Sequence, residues 1–122
     1  MIAYQAADLI WAVKIKKNAG ALGLACRPVR STAMLLDRLG DSAVTALIVD
    51  LDDANLALDL IRIVREHDAT PGASPIRVLA FGPHVAVELL QRARDAGADE
   101  VMPRGALNRS LPDILQSLSE PK

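Results

Sequence analysis

The stretch Val44-Thr45-Ala46-Leu47-Ile48-Val49-Asp50 decides how this chain is read. Its β-branched and aliphatic residues run without a polar interruption from Ala46, then meet a carboxylate. A short, continuous apolar run of this kind suits a strand covered on both faces, as in a parallel sheet. An acid at the end of such a strand marks a place where the sheet meets solvent and where chemistry can be done.

Two kinds of pattern alternate outward from that strand. Ahead of it, Met1 to Ala6 is a short extended stretch. From Asp8 the spacing turns helical, with Trp11, Ile15, Ala19 and Leu22 on one face and Lys14 and Lys17 on another; Gly20 and Gly23 are expected to end that helix. Leu24 to Val29 reads as a strand, and Pro28 places it at a sheet edge, where a missing N–H is tolerated. Ser31 or Thr32 can cap a short helix through Leu35, Leu36 and Leu39 to Gly40.

Beyond Asp50, Ala57, Leu60, Ile61 and Val64 follow the i, i+3, i+4, i+7 rule, with Asp59, Arg62, Arg65 and Glu66 outside the stripe. His67 to Pro75 is turn chemistry, and Ile76 to Phe81 is a further strand ended by Gly82-Pro83. Ala86, Leu89, Leu90 and Ala93 mark the next helix, which Gly97 closes. Val101 and Met102 form a last strand. Pro112 fits the first turn of a helix whose inner face is Leu111, Ile114, Leu115 and Leu118.

Five β-α repeats of this kind predict one α/β domain over residues 1–122, a three-layer (βα)5 sandwich around a parallel five-stranded sheet. With the second strand at an edge, the flavodoxin-like order 2-1-3-4-5 fits. Sites in such sheets lie beyond the carboxyl ends of the strands. Here that rim gathers Ala6 to Asp8, Asp50 to Asp53, Gly82 to His84 and Pro103 to Gly105.

Composition narrows the function. The chain is 51% hydrophobic and only 2% aromatic, with 14 basic against 15 acidic side chains. So few rings and so balanced a charge argue against nucleic acid as a partner. No apolar run is long enough to span a bilayer, and Met1 to Val13, interrupted by Asp8, reads poorly as a signal peptide, so a cytoplasmic setting without membrane contact is expected. Cys26 is the single cysteine. It cannot form an internal disulfide, and its apolar surroundings predict a buried, inert thiol. No phosphate-binding glycine loop and no Ser-His-Asp arrangement is apparent, which disfavours an enzyme or cofactor carrier.

The segments Leu47-Ile48-Val49-Asp50, Pro75-Ile76-Arg77-Val78-Leu79 and Ala96-Gly97-Ala98-Asp99-Glu100-Val101-Met102-Pro103-Arg104 together resemble the receiver domain of bacterial response regulators. The resemblance implies a signalling module and makes Asp50 the candidate phospho-acceptor. It also implies a magnesium ion held partly by an acidic pair after the first strand, a hydroxyl after the fourth strand, an aromatic switch residue on the fifth and a lysine after it. The two cations serve the transfer, because a carboxylate attacking an anionic donor needs them to offset the charge that builds up; the resemblance implies that the hydroxyl then binds a phosphoryl oxygen and moves, and that the aromatic follows it.

This chain departs from that set. The acidic pair falls near Ala6 and Ala7, with Asp8 beside them; the hydroxyl falls on Gly82 (or Ala80), the aromatic on Val101 and the lysine on Arg104. The resemblance therefore implies a pseudo-receiver that works by protein–protein contact, with self-association through the fourth helix, fifth strand and fifth helix as one form. The alternative is an active single-domain response regulator, phosphorylated on Asp50 by a histidine kinase in a two-component phosphorelay. With no output domain within these residues, either would signal by docking.

Three expectations concern the rim itself. Asp8, Asp50 and Asp53, with Asp52 through its carbonyl, could offer oxygen ligands to a hard cation such as Mg2+, in a weak or absent site. Arg104 either pairs with Asp50, filling the space of a phosphoryl group, or reaches solvent. His84 is expected on a surface loop, and Trp11 in the core.

Overall fold

The computed structural model of the chain describes residues 1–120. Its five parallel strands are β1 (Ile2–Tyr4), β2 (Cys26–Pro28), β3 (Ala46–Asp50), β4 (Arg77–Gly82) and β5 (Glu100–Pro103), in the order β2-β1-β3-β4-β5. The helices are α1 (Leu9–Ala21), α2 (Thr32–Asp41), α3 (Ala54–Asp68), α4 (Val87–Ala96), α5 (Arg104–Arg109) and α6 (Leu111–Leu118). This is the flavodoxin-like α/β sandwich, with Pro28 on the outer strand as its missing donor requires.

Strand alternation divides the core in two. Ala3, Leu47, Val49, Val78 and Ala80 face α2, α3 and α4. Ile2, Tyr4, Ala46, Ile48, Leu79 and Phe81 face α1 and α6. The stripe Ala57, Leu60, Ile61 and Val64 is wholly buried, each large aliphatic side chain contributing about 1.5–3 kcal/mol on leaving water. On the other face Trp11 packs against Phe81 with ring centroids 4.9 Å apart, and Lys14 Nζ lies 5.1 Å above the indole.

The structure corrects three local readings. Gly20 lies inside α1, because the Asp8 cap and a packed inner face outweigh the weak helix propensity of glycine, whereas α2 runs one residue past Gly40, to Asp41. Gly23, at φ +70°, is the left-handed residue that follows α1. Cys26 is half-buried, since edge strand β2 has no neighbour on its outer side. The final helix is preceded by a separate short one: α5 starts directly on Arg104 and stops at Ser110, where α6 begins with Pro112 in its first turn.

Candidate functional site

The carboxyl ends of β1, β3, β4 and β5 meet around Asp50, which has no exposed surface. Its carboxylate joins two loops. Oδ2 accepts the main-chain N–H of Ala7 at 2.9 Å, and Oδ1 accepts that of Asp52 at 3.0 Å. The second bond makes Asp50 the cap of a single 3-10 turn over Leu51–Asp53, which leads into α3.

The backbone of Asp50 is held by Gln5. Gln5 extends the β1–β3 ladder by one bond, its N–H reaching the Ile48 carbonyl at 2.8 Å, and its Oε1 accepts the Asp50 N–H at 2.7 Å. Gln5 is itself buried, and its Nε2 has no hydrogen-bond partner. The sequence carries one signal for Gln5, a polar side chain directly after an apolar strand, but an amide has no part in phosphoryl chemistry and the receiver resemblance assigns it no role.

Arg104 approaches from the end of β5. Its terminal nitrogen engages the Asp52 carboxylate directly and stands 3.8 Å from Asp50 Oδ1. Asp52 is thus its direct partner, with Asp50 at Coulombic range and beyond hydrogen-bond length. The reason lies in the 3-10 turn, which carries Asp52 outward over the buried Asp50 and puts it first in the path of the guanidinium.

Burial raises the Asp50 pKa above the ordinary carboxylate value. The Ala7 N–H and the Arg104 charge pull it down, and the neighbouring charges of Asp8 and Asp53 push it up.

The rest of the rim is more dispersed. Asp8 is turned into its own helix, its Oδ1 accepting the Trp11 N–H at 2.8 Å as the α1 cap. Asp53 is exposed at the start of α3 and makes no capping bond. Gly82 is buried at the end of β4, in register with Pro103, and a Cβ there would stand 3.1 Å from Leu51 Cβ. His84 is exposed in the turn between β4 and α4 and hydrogen-bonds to none of these residues.

Among the described residues no group of three or more Asp, Glu, His or Cys is placed to hold a metal ion. Asp8 turns its Oδ1 into the cap of α1, Asp53 is exposed and the Asp52 carboxylate is engaged by Arg104, so the side chains of Asp8, Asp50, Asp52 and Asp53 form no such group; the Asp52 carbonyl, the oxygen expected as a ligand, has no such side chains converging with it. With a guanidinium set among so few converging oxygens, the site does not fit Mg2+. The arrangement does couple elements: one buried carboxylate ties the β1–α1 loop to the turn after β3, with Arg104 bringing β5 alongside.

No protein-family model matches the sequence, and no curated protein matches it. Solved structures do. A response regulator from Thermotoga maritima aligns over 96% of this chain and 94% of its own, with a TM-score of 0.76 at 16% identity. A response-regulator signal receiver domain from Bermanella marisrubri aligns over 98% and 97%, with a TM-score of 0.76 at 20% identity. A response regulator from Burkholderia pseudomallei, solved with a phosphorylated aspartic acid, a calcium ion and citrate, covers 97% of this chain and is covered over 68% of its own, with a TM-score of 0.71 at 22% identity. The chain has the fold of receiver domains.

Proposed function

We propose that this chain is a receiver-like signalling module that acts by protein–protein contact, without movement driven by phosphorylation and without catalysis of its own. One observation carries the reading: the Asp50 carboxylate is fully buried and both its oxygens accept main-chain N–H groups, with the Arg104–Asp52 pair beside it. An incoming phosphoryl donor needs an oxygen it can reach and a cation to screen its charge, and this carboxylate has no exposed surface. Here the cation is a guanidinium already engaged by a carboxylate. A phosphoryl oxygen would also find no hydroxyl at Gly82 to draw inward. The balanced charge and the absence, among the described residues, of a helix long and apolar enough to cross a membrane are compatible with a cytoplasmic partner protein. Self-association through α4, β5 and the final helix is one form such contact would take.

Beryllofluoride with excess magnesium, followed by amide NMR, tests this. The expected result is no change beyond the immediate neighbours of Asp50. Shifts that spread from Asp50 through β4 into α4 would instead establish the second reading, an active response regulator phosphorylated on Asp50 by a histidine kinase. The Burkholderia relative, with its phosphorylated aspartic acid, is what keeps that reading in play.

A further inference from the structure

A groove runs between α3 and α4, in two connected stretches of about 770 and 630 Å³ that share Arg92. At the head of α4 it is rimmed by two large apolar side chains in water, Val85, 74% exposed, and Val87, 69%. Further along, its floor holds Leu58 and Ala96, both packed on the core, and its walls carry charges of both signs. Asp59 and Arg62 are bonded to each other at 2.7 Å, and Asp95 accepts from Gln91 at 2.9 Å. Glu88 and Arg92 are different. They lie one helical turn apart on the groove side of α4, a spacing that allows an ion pair, yet among the described residues neither has a hydrogen bond or ion pair.

From this arrangement we infer that the α3–α4 groove is the contact face of a two-fold dimer, with a second copy of this chain as its occupant. A two-fold interface sets a surface against itself, so it requires a patch that is its own complement. The groove meets that condition. With the axis between Glu88 and Arg92 and the two α4 helices antiparallel, each Arg92 meets the Glu88 of the other copy. A rise of about 1.5 Å per residue places Val85 and Asp95 equally far from that axis, so the valines of one copy reach the level of the Leu58 and Ala96 floor of the other. Charge complementarity selects this occupant. Acids match cations along the groove, so a polyanion has no net charge to answer there. A bilayer surface fits a concave, charged face poorly. The inference rests on reading the chain as a docking module and names the partner as the chain itself. It uses the α3 side of α4, with no residue of β5 or of the final helix lining the groove.

Sedimentation velocity of the full chain, from micromolar to millimolar concentration, tests this. The expected result is a reversible dimer whose dissociation constant rises about tenfold or more in Val85→Ser/Val87→Ser. Arg92→Glu and Glu88→Arg should each weaken it by about as much, since each sets like charges across the axis. An equimolar mixture of those two variants should recover a heterodimer, because every acid then meets a cation again. Mixing cannot repair a misfolded chain, so that recovery stands apart from any effect on folding. Arg94→Glu, on the part of α4 outside the groove, should dimerise as the wild type does. Monomer at every concentration, which would leave the groove to a different protein, overturns the inference, as does a failure to recover on mixing. A dimer lost with Arg94→Glu but kept with Val85→Ser/Val87→Ser overturns it too, by moving the contact to the β5 side of α4. The beryllofluoride experiment fails or succeeds separately. A monomer that ignores beryllofluoride loses the dimer and keeps the docking reading, whereas a dimer whose shifts spread from Asp50 into α4 does the reverse.

Discussion

Two clusters in this molecule have the same make-up, one arginine with two aspartates, and opposite degrees of completion. Arg65, late in α3, spends its whole side chain. Nε donates to the Gly97 carbonyl at 2.8 Å, one terminal nitrogen reaches Asp68 at 2.8 Å and the Ile76 carbonyl at 2.9 Å, and the other reaches Asp99 at 2.8 Å. Asp99 in turn accepts the Val78 N–H at 2.8 Å, and Asp68 that of Ile76 at 3.2 Å. The ends of α3 and α4 and the start of β4 are thereby fastened together. At the carboxyl rim, Arg104 engages Asp52 while its buried Nε has no partner, and the buried Nε2 of Gln5 has none either. A cluster that exists to hold the fold closes its hydrogen bonds. Open buried donors are not confined to this rim, since Arg38 Nε on α2 is another, but Gln5 and Arg104, which hold the rest, both lie against Asp50.

The largest expected effect separates the two clusters directly. Arg65→Ala removes four charge-assisted or buried hydrogen bonds and strands two partly buried carboxylates, which should cost about 3 kcal/mol. Arg104→Ala removes one direct ion pair at a partly exposed position, and should cost less than about 1 kcal/mol. Urea unfolding of the two variants side by side measures the difference. Equal losses would mean that the rim is as much a structural clamp as the Arg65 cluster.

This contrast also explains what could be read ahead of the structure. Periodicity located all five strands and most helices, because the apolar stripes of α3, α4 and α6 are local patterns. The edge position of β2 followed from one proline. Arg65 was legible only as a charge outside a stripe, since its partners Gly97 and Asp99 lie 32 and 34 residues away and only the packing of α3 on α4 brings them near. Asp50 was found because an acid at the end of a buried strand is conspicuous. Its bonds to Ala7 and its hold by Gln5 were not legible, since they depend on the loop after β1 folding over β3. Arg104 was placed on the rim correctly, but a strand-by-strand reading has no 3-10 turn, and that turn is what gives the arginine to Asp52. The short helix α5 escaped because its six residues show no full apolar period.

A medium effect is expected at Gly82, where the comparison can be sharpened from the sheet side. A threonine there would place a hydroxyl where the receiver resemblance asks for one. Its Cβ would first meet Leu51 Cβ at 3.1 Å, backed by the Leu51 side chain. Overpacking of that kind should make Gly82→Thr less stable by about 1–2 kcal/mol, with Leu51→Ala in the same chain recovering part of the loss. Gly97 is constrained more severely, with φ at +116° and Arg65 Cγ 3.0 Å from the place of a Cβ. Gly97→Ala should therefore exceed Gly82→Thr in the same unfolding assay. The reverse order would show that the rim is the tighter packing.

The smallest signal is a slope with pH, and it bears on the unfinished cluster alone. Burial holds the Asp50 carboxyl above its ordinary pKa in the folded chain, despite the Ala7 N–H and Arg104 acting the other way. Between the ordinary carboxylate pKa and this raised one, the folded state binds more protons than the unfolded state. Stability that Asp50 contributes is therefore fully present below the ordinary value and is lost as pH rises through the folded one. Asn cannot ionise, so Asp50→Asn lacks this loss. It also keeps only one acceptor oxygen for the Ala7 and Asp52 N–H groups, so the variant begins with a constant deficit. The difference in unfolding free energy between wild type and Asp50→Asn should consequently move in favour of the variant as pH is raised from acid towards neutrality, while the deficit merely offsets the curve. A difference that moves the other way would mean that Arg104 and the Ala7 N–H outweigh burial, making Asp50 a carboxylate the fold prefers charged and the rim a completed ion cluster like that of Arg65.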